Sequence, residues 1–145
     1  MVSQQAEVAV PVETGMTLGE AKAFVKRVEA LFAAGDVEAI VAGYTPDVVA
    51  HFGDFPEMRG PAEIERFLRA RFARQRNYRL TKDLRSMSGN VISTYWEGTW
   101  EDAETGKRMR GRGAESWTMR EGKIAMWEAA FNVWEDGGGP VTPIT

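Results

Sequence analysis

Cysteine is absent from the 145 residues, so neither a disulfide nor a thiol can brace this fold or drive its chemistry. Histidine occurs once, at His51, and without a second histidine or any cysteine a metal site lacks its usual ligands. No metal and no cofactor are therefore expected. No apolar run approaches the roughly 18 residues of a membrane span. The opening residues also lack the basic start and apolar stretch of a signal peptide. A cytoplasmic protein with no membrane partner is the expectation. An excess of positive charge is missing too: 18 Lys and Arg against 21 Asp and Glu leave a net charge of −3, which argues against nucleic acid.

What remains is 43% hydrophobic and 27% charged, a globular composition over the length of one ordinary domain. Residues 1–16 carry no helical period and read as a flexible arm. Thr17-Leu18-Gly19-Glu20 is a capping-box pattern. Behind it Ala21, Phe24, Val25, Val28, Leu31 and Phe32 follow the spacing of one apolar helix face. Gly35 stops that helix, and Asp36 caps a short second one that Tyr44-Thr45-Pro46-Asp47 ends. Val48 to Phe52 suits a strand, Gly53 to Gly60 a loop, and Pro61 opens a third helix with Ile64, Phe67, Leu68 and Phe72 on its apolar face. Four strands follow, at about 78–87, 91–101, 108–119 and 124–134, joined by short glycine-bearing turns. The tail, 135–145, is rich in glycine and proline. Helices first and a strand meander later imply an α+β domain over 17–134, with three helices on one face of an antiparallel sheet.

Alternation along the strands sorts the side chains. Trp96, Gly98 and Trp100 share a face, as do Gly111, Gly113, Glu115, Trp117 and Met119, and Ala125, Trp127, Ala129 and Phe131. These sets are aromatic or small and are assigned to the helix-facing side. The opposite sets contain Arg108, Arg110, Arg112, Glu128 and Asn132. A bulge would invert any one assignment.

Several stretches resemble the SnoaL-like branch of the nuclear-transport-factor-2-like superfamily. They are Tyr44-Thr45-Pro46-Asp47, Asn77 through Leu84, Ser88-Gly89-Asn90, Trp100-Glu101-Asp102, and Arg110, Gly113, Glu115, Trp117, Ala129 and Asn132. The resemblance implies a cone-shaped, strongly curved sheet around a pocket, and a homodimer through the outer sheet face. It also implies relatives that include polyketide cyclases, ketosteroid isomerases, epoxide hydrolases and non-catalytic binders. The steroid isomerases' tyrosine, base and acid fall on Val28, Phe52 and Glu115, of which only Glu115 titrates. The epoxide hydrolases' aspartate–arginine–aspartate relay falls on Gly98, Trp96 and Ala129, and is absent.

Glu115 is the leading catalytic candidate, because a carboxyl among tryptophans is desolvated and suited to acid/base work. The alternative is that it pairs with a buried arginine and braces the sheet. His51 can titrate near neutrality, but alternation from Phe52 turns it away from the pocket. Asp54 is either a displaced base or a turn residue. Tyr44 either offers a hydroxyl to the pocket or packs at the helix end. Trp96, Trp100, Trp117, Trp127, Phe131 and Phe52 are the candidate walls for a hydrophobic ligand. The run Arg59, Arg66, Arg69, Arg71, Arg74, Arg76, Arg79 and Arg85, broken by Glu63, Glu65 and Asp83, reads as a solvated, ion-paired surface. Three functions follow. One is cofactor-independent proton transfer of isomerase or cyclase type, with Glu115 as acid/base and His51, Asp54 or Tyr44 as partner. Another is non-catalytic binding of a hydrophobic molecule. The third is a dimerisation module whose pocket is vestigial.

Overall fold

Thr17 sets where the first helix begins. Its Oγ1 accepts from the backbone N of Glu20 (3.1 Å), and the Glu20 carboxylate accepts from the backbone N of Thr17 (2.8 Å). This closes the capping box ahead of α1, Leu18–Ala34. The helix buries Ala21, Val25, Val28 and Phe32, and Gly35 ends it at φ +65°, where only a residue without Cβ sits unstrained. Asp36 accepts from Ala39 N (3.1 Å) and caps α2, Val37–Val41. Pro61 occupies the first turn of α3, Pro61–Arg74, which buries Ile64 and Leu68. The computed structural model describes residues 15–139, so most of the expected arm and the end of the expected tail lie outside them.

The strands are β1 (Tyr44–Phe52), β2 (Met58–Arg59), β3 (Gln75–Ser88), β4 (Val91–Asp102), β5 (Arg108–Arg120) and β6 (Lys123–Glu135). They form one sheet in the order β2-β1-β6-β5-β4-β3. The pairs β3–β4, β4–β5 and β5–β6 are antiparallel, as short hairpin turns require. β1 instead runs parallel to β6, with Ala50 opposite Trp127 and Phe52 opposite Ala129. The fold is therefore α+β, with three helices and a mixed, mostly antiparallel six-stranded sheet. The wholly antiparallel expectation fails at one seam, because β1 and β6 are joined through α3 and the meander rather than by a hairpin.

Three local expectations also change. Tyr44 to Asp47 does not end a helix but begins β1. That strand pairs with β6 at Tyr44 and resumes regular pairing only at Val49, so Pro46 and Asp47 fall in the irregular stretch that a missing N–H tolerates. Between Thr118 and Met119 the β5–β6 register slips, so Ile124 is buried and Ala125 is not. β2 rises within the span expected as loop and pairs with β1 at Val49 and Ala50.

The core lies between the helices and the inner face of the sheet. Val25, Val48, Ile64, Leu68, Ile92, Trp117 and Trp127 are almost fully buried there. Positions Trp96, Gly98 and Trp100, and Gly111, Gly113, Glu115, Trp117 and Met119, all lie on the buried inner face.

Candidate functional site

Glu115 sits in the middle of β5, facing the core, with Thr94 of β4 and Ala129 of β6 as its lateral neighbours. Its Oε1 accepts from Lys82 Nζ at 2.6 Å and from Thr94 Oγ1 at 3.2 Å, and its Oε2 accepts from Trp127 Nε1 at 3.2 Å. Both oxygens are thus engaged, which is what a buried carboxylate requires. The side chains of Lys82 and Glu115 are 3% and 5% exposed. Phe32, Trp96 and Trp117 place ring centroids 5.5–6.0 Å from Lys82 Nζ. Burial pushes the Lys82 amine below the usual lysine range, while the charge of Glu115 and its hydrogen bond pull it back up. The cleft beside the pair has a volume of about 10 Å³, barely the room of one water.

A larger cavity opens elsewhere on the same inner face. It measures about 450 Å³, within the range of small-molecule sites. Its aromatic walls are Phe52, Phe55, Phe67, Trp96, Trp100 and Phe131. Trp96 and Trp100 lie across the glycines of β5. A Cβ at Gly111 would come within 3.0 Å of the Trp100 ring, and one at Gly113 within 2.7 Å of Trp96 Nε1. Gly53, at φ +58°, lets Phe131 close on Phe52, the two rings stacking at 4.4 Å and 19°. Arg71, Arg74 and Gln75 bring polar groups from the α3–β3 junction, and Asp102 completes that rim. The cleft at Glu115 and this cavity share no lining residue.

The expected site residues therefore separate. Trp96, Trp100, Phe52 and Phe131 line the large cavity. Trp117 and Trp127 do not; they are core residues around Glu115. Tyr44 is buried and stacks on Trp127 at 6.3 Å and 12°, beside the Glu115 cleft. Burial, and then the charge of Glu115, push the Tyr44 hydroxyl pKa upward. His51 points away from the inner face, exposed, with Nε2 3.4 Å from Glu57 Oε1. Asp54 is exposed in the turn after Gly53. Neither His51 nor Asp54 is among the hydrogen-bond partners of Glu115, so the structure does not assemble them with it as acid/base partners.

Two residues escaped the sequence reading. The cation bracing Glu115 is Lys82 rather than an arginine; Tyr78, Leu80, Lys82 and Leu84 alternate along β3, so the lysine stands in an inward file. That alternation was the available signal. Arg71 belongs in sequence to the run of surface arginines, yet it is half-buried and lines the cavity. Its neighbours in sequence do behave as a surface set: Arg59 pairs with Glu57, Arg69 with Glu65, Arg74 with Asp102 and Arg76 with Glu101. Among the described residues no group of three His, Cys, Asp or Glu could hold a metal ion, and no helix is long and apolar enough to cross a membrane.

With this geometry in place, the comparisons with known proteins are informative about fold. A family profile described as a SnoaL-like domain matches residues 25–127. The chain is similar in structure to an LEH-like epoxide hydrolase from M. tuberculosis, with a TM-score of 0.62 and 17% identity, covering 79% of this chain and 84% of the other. No protein of curated function matches the sequence.

Proposed function

The chain belongs to the SnoaL-like domain family, and from that premise we propose that it binds a flat, hydrophobic small molecule in the cavity above the β5 glycines. One observation carries the reading. Six aromatic side chains wall a cavity of about 450 Å³, and three glycines, at 53, 111 and 113, are needed for those rings to stand where they do. A concave site walled mainly by aromatic side chains with a few polar groups at its rim is the usual form of a small-molecule pocket.

Proton transfer of isomerase or cyclase type by Glu115 is the second reading. What favours it is the ordered partner at 2.6 Å, Lys82. A carboxylate with a positioned partner has the makings of an acid/base pair. Against it stands the enclosure of both oxygens behind walls that the cavity does not share. Epoxide opening of the kind named for the structural relative finds no support, because Gly98, Trp96 and Ala129 stand where the resemblance puts that relay. Pairing of two copies belongs to the same proposal, through the outer sheet face where Arg110, Arg112, Glu128 and Asn132 are exposed.

The test is a titration with naphthamide, a neutral bicyclic probe, followed through the five tryptophan indole N–H signals in NMR. The Trp96 and Trp100 signals are expected to move, and that of Trp134, which packs under Arg112 on the outer face, to stay. Ala70→Trp, which puts a ring into the cavity mouth from the exposed side of α3, should abolish the shifts. Absence of shifts at Trp96 and Trp100 with naphthamide and with its charged counterpart naphthoate would overturn the proposal.

A further inference from the structure

Arg71 projects from the last turn of α3 into the cavity. Its guanidinium carbon lies 5.2 Å from the Phe52 ring centroid, 5.9 Å from that of Phe32, and 6.0 Å from those of Tyr78 and Trp96. One hydrogen bond holds it, from Nη2 to the Tyr78 hydroxyl at 3.3 Å. Among the described residues no carboxylate pairs with it. A guanidinium has five N–H donors, so most of this fork is unspent on protein.

Charge around it is otherwise balanced. At the rim Arg74 donates to both oxygens of Asp102, at 2.6 and 3.0 Å. In the neighbouring cleft Lys82 is matched by Glu115. Arg71 is thus an unmatched positive charge on the cavity wall, partly desolvated by aromatic faces. A half-buried cation lacking an anion is costly, and the cost is recovered when a ligand supplies the anion.

We infer that the cavity selects a planar aromatic monocarboxylate, whose carboxylate meets the Arg71 fork and whose ring system lies between Phe52, Phe131, Trp96 and Trp100. The planar fork matches a carboxylate in geometry as well as in charge. A dianion such as a phosphate would need a second free cation, and Arg74 is already committed to Asp102. The inference rests on the ligand-binding reading of the cavity and adds the chemical class of the ligand.

The experiment compares naphthoate with naphthamide, which have the same rings and differ in the charged group. Calorimetry near neutral pH is run on the full chain and on Arg71→Met and Arg71→Lys, with the Trp96 and Trp100 indole signals read in parallel. Naphthoate should bind about tenfold or more tightly than naphthamide to the parent protein. Arg71→Met should abolish or reverse the preference for naphthoate, because an unpaired carboxylate costs more to desolvate than a neutral amide. Arg71→Lys, which keeps the charge without the fork, should retain part of the preference, and it serves as the readout if Arg71→Met fails to fold. Equal affinities for the parent protein, with both indole signals moving, would overturn carboxylate selection and leave the cavity reading standing. Failure of both probes to bind or to move those signals would overturn the cavity reading and this inference with it.

Discussion

At the scale of single residues, the Lys82–Glu115 pair dominates the interior. Removing one member leaves the other buried without its counter-charge, which typically costs about 3–5 kcal/mol. Lys82→Met should therefore lower unfolding stability by about that amount in urea titration. The double change Lys82→Met, Glu115→Leu should recover most of the loss, because an apolar pair of similar volume needs no desolvation. A single variant as stable as the parent would show that the two groups are not coupled. The pH dependence has a defined sign. The Lys82 amine binds its proton less tightly folded than unfolded. Stability from this group therefore rises with pH between its folded value and the usual lysine value of about 10.4, and the double variant should lose that rise. The sequence made Glu115 legible because alternation in β5 put it among tryptophans. Its partner was hard to see, since a lysine in a strand is ordinarily solvated and the inward file of β3 is interrupted by register shifts near Arg76–Arg79 and Leu84–Ser86.

At the scale of elements, β5 seats the tryptophans of the cavity wall. Its inner face runs Gly111, Gly113, Glu115, Trp117 and Met119, so the strand is bare at one end and bulky at the other. A Cβ at position 113 would meet Trp96 Nε1 at 2.7 Å and the Ala130 carbonyl oxygen at 2.8 Å. Gly113→Ala should then force Trp96 out of its place and cost about 1–3 kcal/mol, the usual range for overpacking. The measurement is the urea midpoint together with the Trp96 indole shift; an unmoved signal at full stability would contradict the account. The helix caps, the hairpins and the inward set of β4 and β5 could all be read from pattern, because each is a local signal. The parallel β1–β6 seam could not, because it joins segments more than 70 residues apart with no turn chemistry to announce it. For the same reason Trp117 and Trp127 could not be told from Trp96 and Trp100. All four alternate inward and all four are buried, and only the packing of α1, α3 and β1 decides which of them border the cavity.

At the scale of the molecule, the two ends of α3 and β4 are clamped by an ion pair that depends on acid. Arg74, with help from Thr105, holds the Asp102 carboxyl well below the usual carboxylate range. A depressed pKa contributes stability that is present above the usual aspartate value, near 4, and is lost as pH falls below it. Unfolding midpoints measured against pH should therefore drop on the acid side in the parent protein and drop less in Asp102→Asn. Equal acid limbs would remove Asp102 from the explanation.

The seam between β1 and β6 also sets an order of assembly. β1 is made well before β6, its one long partner among the described residues. Until Lys123–Glu135 has emerged, β1 has only the two-residue β2 to pair with, and the cavity lacks Phe131 and Val133. The non-local pairing that gives the site its last wall thus leaves one edge of an apolar strand waiting until the whole meander has been made.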